Sequence, residues 1–305
     1  MSGFVRSPLG VALLLIGGVA AQDADFVSLR ENKLQAAFLA NGDWATDFDD
    51  ARDRARRSGK VIFAYFTRSF AVCPACLRLE SGALSTPEFR SFAGDVVPFC
   101  HVTSHVEDEP HGDLHDTLGG EGWPYLAFLD PDGSLLAKIA APYTVSRFAS
   151  SLAAVAVLRQ QSPAAKAGDA VAALRVLEAE LRLDSLSAAE AAARLASLRG
   201  ALARDQLAGV EVDVEFLELL EGMPSRRRDG VLRKVGPRLA AIHAAGQVPT
   251  TRTREFWDLL VAWAGLAQDR RLLLAAAKAW RPMLDAASAR DRRILERLDR
   301  VIAGG

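Results

Sequence analysis

Two thiols at C-x-x-C spacing, Cys73-Pro74-Ala75-Cys76, are the residues best suited to chemistry in this chain. A short apolar run, Lys60-Val61-Ile62-Phe63-Ala64-Tyr65-Phe66-Thr67, precedes them, and a helix-compatible stretch beginning at Leu77 follows. A helix N-terminus offers unpaired N–H groups and partial positive charge, and both favour a thiolate. The thiolate is the nucleophile of disulfide exchange, and a second thiol at this spacing can resolve the mixed disulfide. C-x-x-C also occurs as half of a zinc site or as a structural disulfide. Three cysteines, Cys73, Cys76 and Cys100, exclude a four-cysteine zinc site but leave one of two cysteines and two histidines open.

Four of the five histidines, His101, His105, His111 and His115, fall in one window among Glu107, Asp108, Glu109, Asp113 and Asp116. A short helix from His111 to Leu118 would put His111 and His115 on one face, as two imidazole ligands require. The candidate metal ligands are therefore His105, His111 and His115, with the thiolates. A solvated polar loop that happens to be rich in histidine explains the composition as well and is the favoured reading, with no metal or organic cofactor expected. Cys100 lies on an apolar stretch, Val96 to Val102, and is expected to be a buried, inert thiol.

The elements that position these groups follow from periodicity and punctuation. Trp44 opens an amphipathic segment with Phe48, Ala51 and Ala55 at helical spacing, capped by Thr46 or Asp47 and ended by Ser58-Gly59. Pro87 falls in the first turn of a further helix. Strands are expected at Lys60 to Thr67, Val96 to Val102, Trp123 to Asp130 and Ser134 to Ala140, the last two joined by the turn Asp130-Pro131-Asp132-Gly133. A helix from about Val145 to Arg159 closes the unit, and Gln160-Gln161-Ser162-Pro163 reads as a linker.

From there to Gly305 the pattern is helical and rich in Ala, Leu and Arg. Six or seven helices are expected, with starts near Pro163, Asp213, Ser225, Thr250 and Ser288 and ends near Gly200, Gly222 and Gly246. They suggest an antiparallel helical array without a clear 34-residue repeat. Phe256, Trp257, Trp263 and Trp280 are expected to be core, and Ser225-Arg226-Arg227-Arg228 a solvated helix start. This domain is expected to be an interaction platform or a lid that selects substrates.

The 305 residues suffice for two domains, and 50% hydrophobic with 25% charged residues is an ordinary globular composition. A formal net charge of −1 gives no reason to expect a nucleic-acid partner. The apolar run Leu9 to Ala21 is shorter than the roughly 20 residues of a membrane span. It ends in small residues, with Val19 and Ala21 at the −3 and −1 positions of a cleavage site before Gln22. That is the pattern of a secretory signal peptide, after whose removal no stable membrane anchor is expected. The location expected is periplasmic or secreted, where such a pair is free to cycle or to persist as a disulfide.

Residues from about 44 to 155 resemble the thioredoxin superfamily, most strongly its exported branch. The resemblance rests on Cys73-Pro74-Ala75-Cys76, on Gly122-Trp123-Pro124 before the strand Tyr125 to Asp130, and on Trp44, Asp47, Ala51 and Ala55. It implies an α/β thioredoxin-like fold, a central mixed sheet flanked by helices; the all-α helical-array domain that follows is expected from the helical pattern of residues 160–305 alone. The domains expected are 1–21 (signal peptide), 22–159 (thioredoxin-like) and 160–305 (α-helical). By resemblance Cys73 is the exposed attacking thiol, Cys76 the buried resolving thiol, and Pro124 a cis proline that turns the Trp123 backbone toward the sulfurs. The catalytic candidates are thus Cys73, Cys76, Trp123 and Pro124, with protein thiols and disulfides as substrates and a redox partner protein. Three features depart from the family, the first being a loop, Arg68 to Val72, one or two residues longer than in typical members. Val72 replaces the usual tryptophan, and the strand before the motif lacks a buried acid, a role left to Glu80 or a water. The remaining alternatives are metal binding or delivery through the C-x-x-C and the His101–His115 cluster, and a non-catalytic adaptor with a static disulfide.

Overall fold

The computed structural model describes residues 16–223, 228–284 and 289–304. Two compact units divide the chain, 1–155 and 156–305. The first fifteen residues of the expected signal peptide lie outside the described residues. Helix α1 (Ile16–Leu34) runs through the expected cleavage point. Among the described residues no helix is long and apolar enough to cross a membrane.

In the first unit, α2 (Phe48–Ser58) buries the expected Phe48, Ala51 and Ala55 face; Asp47 caps it through the Asp50 N–H, and Gly59 ends it in the left-handed conformation (φ 69°). Strand β1 (Ile62–Arg68) leads to α3 (Pro74–Ser81) and then α4 (Pro87–Ala93), capped by Thr86. Strand β2 (Val97–Thr103), the short α5 (Leu114–Thr117), and strands β3 (Tyr125–Leu129) and β4 (Leu135–Lys138) follow.

The sheet order is β2-β1-β3-β4. β1 runs parallel to β2, with Ile62 opposite Val97, and antiparallel to β3, with Ala64 opposite Ala127; β4 is antiparallel to β3. β1 is buried on both faces, as its unbroken apolar run requires. Pro98 is tolerated because β2 is an edge strand. The outer edge of β2 is covered by Ala45, whose N–H donates to the Pro98 carbonyl and whose carbonyl accepts from the Cys100 N–H. This mixed sheet with flanking helices is a thioredoxin-like fold, and an all-α unit follows it.

Helix α6 (Val145–Lys166) corrects the expected linker, because Gln160 to Pro163 lie inside it. Ala164 and Ala165 carry the helix past Pro163 to Gly168, which has φ 95°; Asp169 then caps α7 (Ala170–Arg182). The helix break at Gly168-Asp169 falls within the second unit. The second unit continues with α8 (Ala188–Leu198), α9 (Arg204–Glu221), α10 (Arg228–Ala244), α11 (Thr253–Leu266), α12 (Arg270–Trp280) and α13 (Ala289–Ala303). Phe256, Trp257 and Trp280 are buried in its core, as expected. Asp213 does not start a helix: it lies inside α9, buried, and its carboxylate accepts from the hydroxyls of Thr250 and Thr251 and from the Thr251 N–H. Ser225 and Ser288 lie outside the described residues.

Candidate functional site

The loop after β1 is closed at both ends, by the Arg68 guanidinium on the Val72 carbonyl (2.9 Å) and by the Ser69 N–H on the Thr103 carbonyl (3.1 Å). It delivers Cys73 to the N-cap of α3. Pro74 takes the first helical position, where no N–H is needed. Cys73 Sγ accepts a hydrogen bond from the Cys76 N–H at 3.2 Å. The sulfur thus occupies the place usually filled by a capping oxygen, where the unpaired N–H groups and the helix dipole favour negative charge. Cys73 and Cys76 form a disulfide.

Trp123–Pro124 is a cis peptide. The Trp123 carbonyl oxygen lies 3.7 Å from Cys73 Sγ, so two stretches fifty residues apart meet at the sulfur. Cys76 is fully buried, as expected. Cys73 is only 7% exposed, which corrects the expectation of an exposed thiol. Val72, the residue before it, and Leu77, one turn along α3, are exposed apolar side chains (77% and 51%).

Trp123 is held on several sides. Its Nε1–H donates to Thr103 Oγ1 (3.3 Å), and Phe70 meets it edge-on at 5.6 Å. The Arg68 guanidinium lies over the ring at 5.3 Å, and the His115 imidazole stacks on it at 4.7 Å and 12°. The Tyr143 hydroxyl donates to the Pro124 carbonyl (3.3 Å).

A buried acid lies on α3. Glu80 comes one turn after Cys76 on the same buried face. Its carboxylate accepts from the Tyr65 hydroxyl (2.6 Å), the Thr67 hydroxyl (3.2 Å) and the Lys33 ammonium (2.6 and 2.8 Å). Lys33 belongs to α1. The Tyr65 hydroxyl is pushed up from its ordinary pKa by burial and by the neighbouring Glu80 charge. Cys100 is buried, and burial, then Glu80, pushes its thiol up as well, which makes it the inert thiol expected.

The histidines do not assemble as the spacing suggested. His111 has φ 58° and precedes α5, so it shares no helix face with His115. His111 faces Asp49 on α2 at 3.4 Å. His105 is exposed and packs on Phe70 (4.2 Å) and Phe26 (5.2 Å). His101 is buried, with its Nε2 3.0 Å from the His111 carbonyl; burial holds it below the ordinary imidazole pKa. His115 is also buried, but against Trp123. Among the described residues, no three His, Cys, Asp or Glu side chains come together as a metal-ligand set.

No protein-family model matches the chain, and no curated protein does. Among solved structures, the chain is similar to "DsbH Oxidoreductase" at 21% identity and a TM-score of 0.32, covering 37% of this chain and 82% of that one. It is also similar to a thioredoxin from Thermus thermophilus at 22% identity and a TM-score of 0.31, covering 38% of this chain and 87% of that one.

Proposed function

We propose that the protein is an exported thiol–disulfide oxidoreductase that acts on protein thiols and disulfides in the periplasm or outside the cell. The observation that carries this reading is the position of Cys73 Sγ, at the N-cap of α3 and 3.7 Å from the Trp123 carbonyl. A static disulfide needs neither the helix N-terminus nor an opposed backbone edge.

In the reduced protein the Cys73 thiolate attacks one sulfur of a substrate disulfide. A Cys73–substrate disulfide forms, and the other substrate sulfur leaves as a thiolate and takes up a proton. The Cys76 thiolate then attacks Cys73 Sγ, forming the Cys73–Cys76 disulfide and releasing the second substrate thiolate. The substrate gains two electrons and two protons, and the protein dithiol loses them. Run backwards, the same steps oxidise a substrate dithiol, and a redox partner protein restores the starting state. Cys76 is fully buried, so its proton needs an internal acceptor, and Glu80, on the same face of α3, supplies a carboxylate there.

The test is exchange with a small aromatic disulfide and with a disulfide-bonded model protein. The wild type is expected to turn over both in the presence of a dithiol, and Cys73→Ser to turn over neither. Equal rates for Cys73→Ser and wild type would overturn the reading.

A further inference from the structure

His115 is unusual for a buried imidazole in this unit. It is only 3% exposed, yet both ring nitrogens face acceptors. Nδ1 lies 2.8 Å from the Asp116 carboxylate, and Nε2 lies 3.2 Å from the Gly122 carbonyl oxygen. A neutral imidazole has a single N–H and can donate to one of the two, whereas the imidazolium donates to both. Phe66 and Tyr125 pack edge-on at 5.9 and 5.7 Å, and the indole of Trp123 stacks in parallel, an arrangement that also attracts a cation.

The loop is built around this ring. Gly120 donates its N–H to the His115 carbonyl, and a Cβ at Gly120 would sit 2.3 Å from His115 Nε2, so only glycine leaves room. Gly122, whose carbonyl the ring bonds, directly precedes Trp123, whose carbonyl faces Cys73 Sγ. The charged and titratable groups around His115 are few. Asp116 lies on its own helix and is 85% exposed at the side chain. His101 lies on β2, and burial holds it toward the neutral form. Tyr125 lies on β3, pushed up to about 12 by burial. Beyond these, Lys138 on β4 bonds the Gly119 carbonyl, and Arg68 lies over Trp123.

We propose that His115 is a positioning residue of the redox site: its ring, clamped between Asp116 and the Gly122 carbonyl and stacked on Trp123, holds the backbone that faces Cys73 and so sets the reactivity of that sulfur. The ring's contact with the Gly122 carbonyl fixes the loop that aims the Trp123 carbonyl at Cys73 Sγ. The proposal rests on the thiol chemistry proposed above, but its test needs no disulfide substrate.

The test is the alkylation rate of Cys73 in the reduced full-length protein with iodoacetamide at fixed pH, alongside NMR of the indole N–H groups. Cys76 and Cys100 are 0% and 1% exposed against 7% for Cys73, so the fast-reacting thiol is Cys73. His115→Phe keeps the stacking ring but loses both hydrogen bonds, and is expected to react about threefold to tenfold more slowly than the wild type, the effect of one net hydrogen bond. His115→Gln, which keeps a donor for the Gly122 carbonyl, should recover part of that rate. The Trp123 indole signal should move in His115→Phe. Equal rates for wild type and His115→Phe would overturn the proposal. So would a Trp123 indole N–H that exchanges with solvent as fast as an exposed indole in the wild type, a readout that needs no variant. Absence of exchange with disulfide substrates, measured separately, would count against the proposed function alone.

Discussion

Substituting methionine for Lys33 removes the ammonium that touches both oxygens of Glu80 and leaves the carboxylate in place. The Lys33 and Glu80 side chains are 15% and 8% exposed, so the pair lies close to the buried limit. Exposed pairs are worth under about 1 kcal/mol, whereas removing one partner of a buried pair costs about 3–5 kcal/mol. Glu80 retains the hydroxyls of Tyr65 and Thr67, each worth about 1 kcal/mol net, and methionine preserves the packing of the lysine stem. The expected loss is therefore about 2–3 kcal/mol. Adding Glu80→Gln to Lys33→Met removes the stranded charge and should recover about 1–2 kcal/mol, a coupling that a double-mutant cycle measures. With two compact units, the global transition is a poor reporter. Hydrogen exchange at the β1 amides, Ile62 to Arg68, reads the first unit alone. A loss below about 0.5 kcal/mol at those amides would refute the reasoning, because α1 would then not be coupled to the core through Glu80.

Glu80→Gln is expected to slow release of the Cys73 mixed disulfide about tenfold or more, read by stopped-flow, with little change in the first attack on substrate. Burial holds His101 below the ordinary imidazole pKa, so the unfolded chain binds its proton first. Stability should therefore be full above the ordinary imidazole pKa of about 6.5 and fall as pH drops below it, by at most about 1.4 kcal/mol per pH unit; His101→Phe should remove that dependence in urea titrations. Gly133→Ala puts a Cβ 2.7 Å from Phe48 Cζ at φ 95°, and should cost the first unit about 2–4 kcal/mol by hydrogen exchange.

Much of the site could be read because its signals are local. Cys73 and Cys76 follow an apolar strand and open a helix at Pro74, and Trp123-Pro124 opens the strand that faces them. The Phe48, Ala51 and Ala55 face of α2 was equally legible from its spacing. What the sequence hid depends on contacts between distant elements. Glu80 could be named as a substitute acid, but its partners come from α1 and β1 and appear only once the chain folds. The histidine spacing misled because His111 adopts φ 58° and stops the helix from reaching back to it. The linker misled for the opposite reason. Pro163 looked like a boundary, yet the residues around it are helix formers, and the helix runs on to Lys166. The fit of Gly120 against His115 leaves no mark in composition or period at all.

The central claim is that Cys73 forms the bond to substrate and Cys76 breaks it. Cys76→Ser, mixed with a disulfide-bonded model protein, should accumulate a one-to-one mixed disulfide that mass spectrometry locates at Cys73 and that dithiol reverses. No adduct, or an adduct at Cys100, would contradict the account.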